Sequence, residues 1–371
     1  MKIKDYLGIS EEENAVLKAI SSFPKKRDIH RQSCMERFSP FENTRMKRIS
    51  LQAQTDMEGN IPYPVAARLL ISYTCTHSCS GCPYGLNRKG EKDFFDSNHF
   101  KSLLRSLQSL KVKFIDLSRG GEPTTHPEFI KFAQMSMKEN FYLSLLSNGA
   151  WPDSRIAELL VCGFSHLTVN LDASDDETYN RIHHPPESTE FQRVLENIER
   201  VVTERESVKS SLVIGAEVSL GQTNMNFMEQ ITCLARDMGM DFIRFRINRW
   251  SSDHLLPDQI ERTSQLITEL RNAVDPFPIY GEIKSTGLSP GCRISLVQLT
   301  IDPSGNAYPC PYFEQFPGIT SFGNILAQPP EELWFGLEHR RAVERLKECD
   351  YPVKDCRWHM GNDFIRSSDT K

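Results

Sequence analysis

No apolar run in the 371 residues approaches the roughly 18 needed to cross a bilayer, and the opening Met1-Lys2-Ile3-Lys4-Asp5 lacks the apolar core of a secretory signal. Neither a membrane span nor export is expected, and the chain is read as cytoplasmic. Basic charge is also in short supply. With 44 Lys and Arg against 49 Asp and Glu, the net charge is -5, without the positive footprint that nucleic-acid binding leaves. A small-molecule or peptidic substrate fits this balance better. Internal repeats and low-complexity tracts are missing too, which excludes a solenoid and leaves an ordinary globular composition, 39% hydrophobic and 25% charged.

Cysteine, in contrast, is plentiful, and its ten copies are unevenly placed. Three sit at 75, 79 and 82, four in the last eighty residues (Cys292, Cys310, Cys349, Cys356), and Cys34, Cys162 and Cys233 are scattered. In a cytoplasmic protein, clustered cysteines bind metal or do chemistry more often than they form disulfides. The scattered three read as small buried hydrophobes.

The first sixty or so residues are mixed in charge, with one capping box, Ser10 and Glu13, ahead of Ala15, Val16, Leu17 and Ile20. From Ala67 onward short apolar runs alternate with helical patterns, the mark of βα units. Strands are predicted near 67 to 73, 112 to 118, 141 to 147, 166 to 171, 211 to 219 and 242 to 247. Helices are predicted over 97 to 110, 127 to 138, 153 to 161, 190 to 205, 225 to 238 and 257 to 273. Six βα units are too few for a closed eight-stranded barrel and suit either a partial barrel or an open doubly wound sheet. After Pro276 the rhythm breaks, and Leu296 to Ile301 followed by Asp302-Pro303-Ser304-Gly305-Asn306 reads as a strand entering a hairpin turn. The expected division is an N-terminal extension over 1–62, a βα domain over 63–275 and a small cysteine-rich domain over 276–371.

Cys75-Thr76-His77-Ser78-Cys79-Ser80-Gly81-Cys82 follows the first predicted strand, at the end where barrel active sites gather. Three thiolates on one tight loop suit a 4Fe-4S cluster with one iron left open. Structural zinc is the alternative, and it would need a fourth ligand, for which His77 on so short a loop is a poor candidate. The second strand ends at Ser118-Arg119-Gly120-Gly121-Glu122-Pro123. Its paired glycines either let backbone approach a ligand closely, with Glu122 able to receive an ammonium group, or form a tight βα connection.

The CxxxCxxC loop after one strand and the Gly-Gly-Glu-Pro turn after the next together resemble the radical S-adenosylmethionine (SAM) superfamily. The resemblance implies a partial (β/α)6 TIM-like barrel. It further implies that SAM binds the open iron through its amino and carboxylate groups, and that an electron from the cluster cleaves it to a 5'-deoxyadenosyl radical that abstracts hydrogen. Ser147-Asn148-Gly149 resembles the third-strand ending of the family, and Val169 to Ala173 with Arg181 resembles the fourth strand and the arginine beyond it. By that resemblance Gly120, Gly121, Glu122, Ser147, Asn170 and Arg181 are expected to hold SAM. Where many members carry an aromatic residue before the third cysteine this chain has Gly81, so Tyr84 is the candidate for the adenine contact.

Cys292 and Cys310 flank a hairpin, and with Gly305 and Gly323-Asn324-Ile325 they resemble the opening of the auxiliary-cluster domains called SPASM or, in shorter form, twitch. The resemblance implies that Cys292, Cys310, Cys349 and Cys356 hold one auxiliary 4Fe-4S cluster, with His359 or a substrate atom as an alternative ligand, and that a flavodoxin or ferredoxin supplies electrons. The leading expectation for the reaction is oxidation of a carbohydrate or cyclitol hydroxyl, since single-cluster twitch domains occur in 2-deoxy-scyllo-inosamine dehydrogenase. The alternative is peptide or protein modification by oxidation, thioether formation or epimerisation. A non-catalytic metal-binding scaffold is a third. No catalytic residue is assigned, although His126, His183 and His184 lie on loops expected to face the site.

Overall fold

The computed structural model describes residues 61–82, 84, 93–248, 252–274, 276–281, 292, 294–314 and 318–347. The Ser10–Glu13 capping box, Cys34, Cys349, Cys356 and His359 lie outside these residues. Seven parallel strands run in chain order: β1 (Ala66–Leu69), β2 (Phe114–Leu117), β3 (Tyr142–Ser147), β4 (Phe164–Asn170), β5 (Val213–Leu220), β6 (Phe242–Ile247) and β7 (Ile279–Tyr280). Between them lie α1 (Ser97–Ser109), α2 (Phe129–Lys138), α3 (Arg155–Gly163), α4 (Asp176–His183), α5 (Glu190–Val208), α6 (Met228–Asp237) and α7 (Pro257–Ala273). A doubly wound sheet reverses its strand order at a switch point, whereas here each strand pairs with the next, the order of a barrel wall.

The two faces of the wall differ in chemistry. Ala67, Leu69, Ile115, Leu117, Leu143, Leu145, Leu167, Val169, Ile214, Ala216, Val218, Ile243 and Phe245 join one apolar cluster with the helices. The alternate positions carry charge. Arg68 Nε bonds the Asp116 carboxylate at 2.8 Å, Ser144 Oγ donates to the same carboxylate at 2.8 Å, and Glu217 faces Arg246 at 3.0 Å and Arg244 at 3.9 Å. Period-two alternation in a parallel strand normally has little to report because both faces are covered. A polar second face is what a lined interior requires.

The helices follow from their apolar spacing. Helix α1 buries Phe100, Leu103, Leu104 and Leu107, and the Asp96 side chain caps it by accepting from Asn98 N. The sequence reading missed α4, which buries only Thr178, Tyr179, Ile182 and His183. Its cap was legible all the same: Asp175 accepts from Thr178 N, and Asp176 and Glu177 fill the first turn. Cys162 and Cys233 are corrections, for they are respectively exposed and half-buried. Each sits beside its helix's buried stripe rather than in it.

The C-terminal segment does not stand apart from the wall. Strand β8 (Gln298–Ile301) pairs in parallel with β1, so that Thr300 lies opposite Arg68, and β9 (Asn306–Tyr308) and β10 (Gly323–Asn324) continue the sheet antiparallel. Helices α8 (Pro330–Phe335) and α9 (Leu337–Lys347) follow, with Trp334 Nε1 bonded to Pro62 O at 2.7 Å. In α9 the buried His339 ring packs tilted against Trp334 at 4.0 Å and Phe322 at 4.4 Å, and burial lowers its pKa to about 4. A depressed folded-state pKa means stability present above about 6.5 that is lost as pH falls toward 4. Anaerobic denaturant unfolding of wild type is expected to lose about 1 kcal/mol at this site between pH 6.5 and 5.5, a loss absent from His339→Gln.

Candidate functional site

The loop of Cys75, Cys79 and Cys82 leaves the C-terminal side of β1 and is held from two directions. On one side Gly121 N donates to Ser72 O at 2.7 Å and Glu122 N to Thr74 O at 2.8 Å, joining the Gly-Gly turn to the chain that enters the loop. On the other, Ser78 N and Ser80 N donate to His183 O and Ile182 O at the end of α4. The three thiols are half-buried and outside any disulfide, with His77 N donating to Cys75 Sγ at 3.4 Å.

Behind the loop, His77 is nearly fully buried and both its ring nitrogens are engaged. Asn148 Oδ1 accepts from Ala150 N, which turns Asn148 Nδ2 to donate to His77 Nδ1 at 2.6 Å; His77 Nε2 then faces Tyr179 Oη at 3.0 Å. His77 is therefore a strut and not a fourth zinc ligand. Among the described residues no group of three or more His, Cys, Asp or Glu side chains is arranged around a single ion. Three half-buried thiols on one short loop are a donor set that fits a cluster distributing them over separate irons.

His183 lies in the same layer, with Nδ1 3.2 Å from Cys79 Sγ and Nε2 3.3 Å from Asp172 Oδ2. Burial alone would lower its pKa, but the charges of Cys79 and Asp172 carry it up to about 10. The sequence offers His183 as a candidate base, whereas the structure places it against the Cys79 thiol and the Asp172 carboxylate. His126 is corrected as well: Nε2 bonds Phe95 O at 2.9 Å and Nδ1 accepts from Glu128 N, so it braces the α2 entrance. His184 is the exposed left-handed cap of α4.

Glu122 has a different occupation from the expected ammonium receptor. Its buried carboxylate accepts from Thr124 N, Thr124 Oγ1, Ser147 Oγ and Asn148 N, at 2.7 to 3.2 Å. Burial raises its pKa, and those four donors offset the cost of the charge. Glu122 and Ser147 thus staple the β2 turn to the β3 turn. Asn170, at the end of β4, is half-buried, and its side chain makes no hydrogen bond among the described residues, so it is open to a ligand. Arg181 is exposed and one residue before the carbonyls that hold the cysteine loop.

Tyr84 is buried beside Arg119, and it is not among the atoms nearest to a Cβ built on Gly81. The space above Gly81 belongs to Asn248: a Cβ on Gly81 would lie 1.9 Å from Asn248 Nδ2. The missing aromatic is thus explained by packing from the end of β6, a contact that local sequence does not report. At the other cysteine group, Cys292 precedes β8 and Cys310 follows β9, both at the open end of one hairpin. Cys292 N donates to Leu346 O at 3.0 Å, which brings the end of α9 to Cys292.

Comparison with known proteins gives the same two regions. A model described as the Radical SAM superfamily matches residues 69–222, and one described as an iron-sulfur cluster-binding domain, SPASM, matches 292–357. Mycofactocin maturase MftC of Mycobacterium tuberculosis is 21% identical over 271 residues, covering 69% of this chain and 66% of that protein, so the chain spans just under two thirds of that relative's length. AdoMet-dependent heme synthase of Methanosarcina barkeri is 23% identical over 303 residues, 74% of this chain and 82% of that protein. Among solved structures, Streptococcus suis SuiB bound to precursor peptide SuiA superposes with a TM-score of 0.63 at 13% identity, over 93% of this chain and 83% of that one. The enzyme anSMEcpe with bound AdoMet gives 0.61 at 16% identity, over 81% and 88%. These structural likenesses bear on the fold. Among the described residues no helix is long and apolar enough to cross a membrane.

Proposed function

Because the chain belongs to the radical SAM superfamily, in its SPASM/twitch subgroup, we propose that it is an enzyme that modifies a peptide or protein after hydrogen abstraction. The 4Fe-4S cluster of Cys75, Cys79 and Cys82, with SAM, supplies the hydrogen-abstracting radical. What the chain's own residues contribute is position. The Gly120-Gly121 backbone brings the turn after β2 against the cysteine loop, Glu122 and Ser147 lock that turn to β3, and Asn170 and Arg181 are left to meet SAM. Cys292, Cys310, Cys349 and Cys356 hold one auxiliary cluster on this reading. A flavodoxin or ferredoxin in the cytoplasm serves as reductant.

The observation that carries the peptide reading is the similarity along the chain to a protein solved with its precursor peptide, together with the similarity to a maturase. These relatives favour peptide modification over the carbohydrate or cyclitol oxidation expected from sequence. The heme synthase match, which covers more of its relative's length, supports a small-molecule reaction as second reading.

Deuterium transfer separates the two. The holoenzyme, reduced and supplied with SAM, is expected to move deuterium into 5'-deoxyadenosine from a member of a library of perdeuterated peptides. Transfer from perdeuterated cyclitols or tetrapyrroles with none from peptide would reverse the order of the readings.

A further inference from the structure

Arg119 is the residue of the β2 turn that neither the SAM motif nor the staple uses. Its backbone is left-handed, with φ of 75°, a conformation uncommon for a long side chain outside glycine and Asn/Asp positions. That strain has to be maintained by what the side chain reaches. The guanidinium lies between two tyrosines, and each of these is two residues beyond a cluster cysteine. Nη2 donates to Tyr312 Oη at 2.9 Å with Cζ 4.3 Å from the Tyr312 ring, and the buried Tyr84 lies close enough for its hydroxyl and the guanidinium to act on each other electrostatically. Tyr312 N in turn donates to Cys310 Sγ at 3.4 Å.

The charge balance is the second observation. Both tyrosines are buried, and among the described residues no carboxylate lies within ion-pair distance of Arg119. Glu314, which takes a hydrogen bond from Tyr73, feels the guanidinium from farther away. A cation enclosed by phenols alone is costly unless its counter-charge comes from elsewhere. Thiolate-ligated iron-sulfur clusters carry net negative charge, and their potentials respond to nearby charge and to hydrogen bonds at sulfur.

We infer that Arg119 is a positioning residue joining the Cys82 loop to the Cys310 loop, and that its charge is shared by the two iron-sulfur sites. The inference rests on the reading that Cys310 ligates an auxiliary cluster. A cation stabilises the reduced, more negative state of each cluster, so its removal lowers both potentials. Arginine suits the place because its planar fork reaches one hydroxyl while lying against a ring, which lysine does not reproduce.

The test is an anaerobic EPR-monitored redox titration of the reconstituted holoprotein, without SAM, with iron counted per chain, for wild type, Arg119→Lys and Arg119→Gln. About eight irons are expected in all three. In Arg119→Gln both midpoints are expected to fall by a roughly tenfold change in the reduction equilibrium, about 59 mV for one electron, and in Arg119→Lys by much less. Full iron with unchanged midpoints in Arg119→Gln, or a shift confined to one cluster, overturns the shared charge. About four irons in the wild type would instead defeat the auxiliary-cluster reading. Should Arg119→Gln lose iron, Tyr312→Phe keeps the cation and removes only its hydrogen bond. That variant is expected to hold its iron and shift the auxiliary midpoint alone, and no shift there overturns the inference.

Discussion

Replacing Cys75, Cys79 and Cys82 together by alanine is expected to lower the iron of reconstituted protein from about eight to about four per chain and to abolish 5'-deoxyadenosine formation. Among the described residues the histidines beside the loop are already engaged, His77 with Asn148 and Tyr179 and His183 between Cys79 and Asp172. Cys292 and Cys310 flank a separate hairpin, β8 and β9, so the iron of the C-terminal cysteines should survive. Colorimetric iron and sulfide together with chromatography of SAM products make the measurement. Wild-type protein that takes up zinc in place of iron, or that holds iron without cleaving SAM when reduced, would return the chain to the scaffold reading.

Gly121→Ala is expected to be nearly as damaging without touching a ligand. A Cβ there would lie 2.0 Å from Thr74 O and 2.6 Å from the backbone carbons of Thr74 and Tyr73. Every obstructing atom is main chain, so no side chain can swing aside. The turn must withdraw, and with it go the bonds from Gly121 N to Ser72 O and from Glu122 N to Thr74 O. Overpacking plus two lost buried bonds amounts to about 3 kcal/mol of stability. The cysteines stay on their own loop, so iron should load near the wild-type level while SAM affinity falls at least about tenfold, the equivalent of 1.4 kcal/mol. Equilibrium dialysis of SAM against both proteins, beside their thermal midpoints, decides it. Wild-type affinity in the variant would mean that the close approach of these backbones is irrelevant to SAM.

Local chemistry made much of this legible. The six strands of the βα region and six of its helices were placed because apolar spacing at two or at three and four residues reports directly on burial. The cysteine loop and the Gly-Gly turn were found because three thiols in eight residues and two adjacent glycines at a strand end are rare requirements. Helix α4 escaped because its short stripe is mostly polar and its contribution is made by backbone carbonyls, Ile182 O and His183 O, which carry no side-chain signature. For the same reason β7, two residues beyond a proline-rich break, was not anticipated.

The sequence by itself determined the superfamily and the βα order, and it marked the clustered cysteines as candidate ligands, since each depends on residue type and spacing along the chain. Tertiary structure alone decided which polar groups are spent. Glu122 and Ser147 are bound to each other, His126 to Phe95 O and Arg119 to Tyr312, while the Asn170 side chain makes no hydrogen bond among the described residues. It also decided that β8 extends the barrel wall beside β1, that Asn248 fills the space over Gly81, and that Arg119 meets Tyr312, 193 positions farther along the chain. The physical reason is common to all of these: a hydrogen bond or a close contact is settled by which partner folding brings within about 3 Å, and partners distant in sequence leave no trace in local pattern.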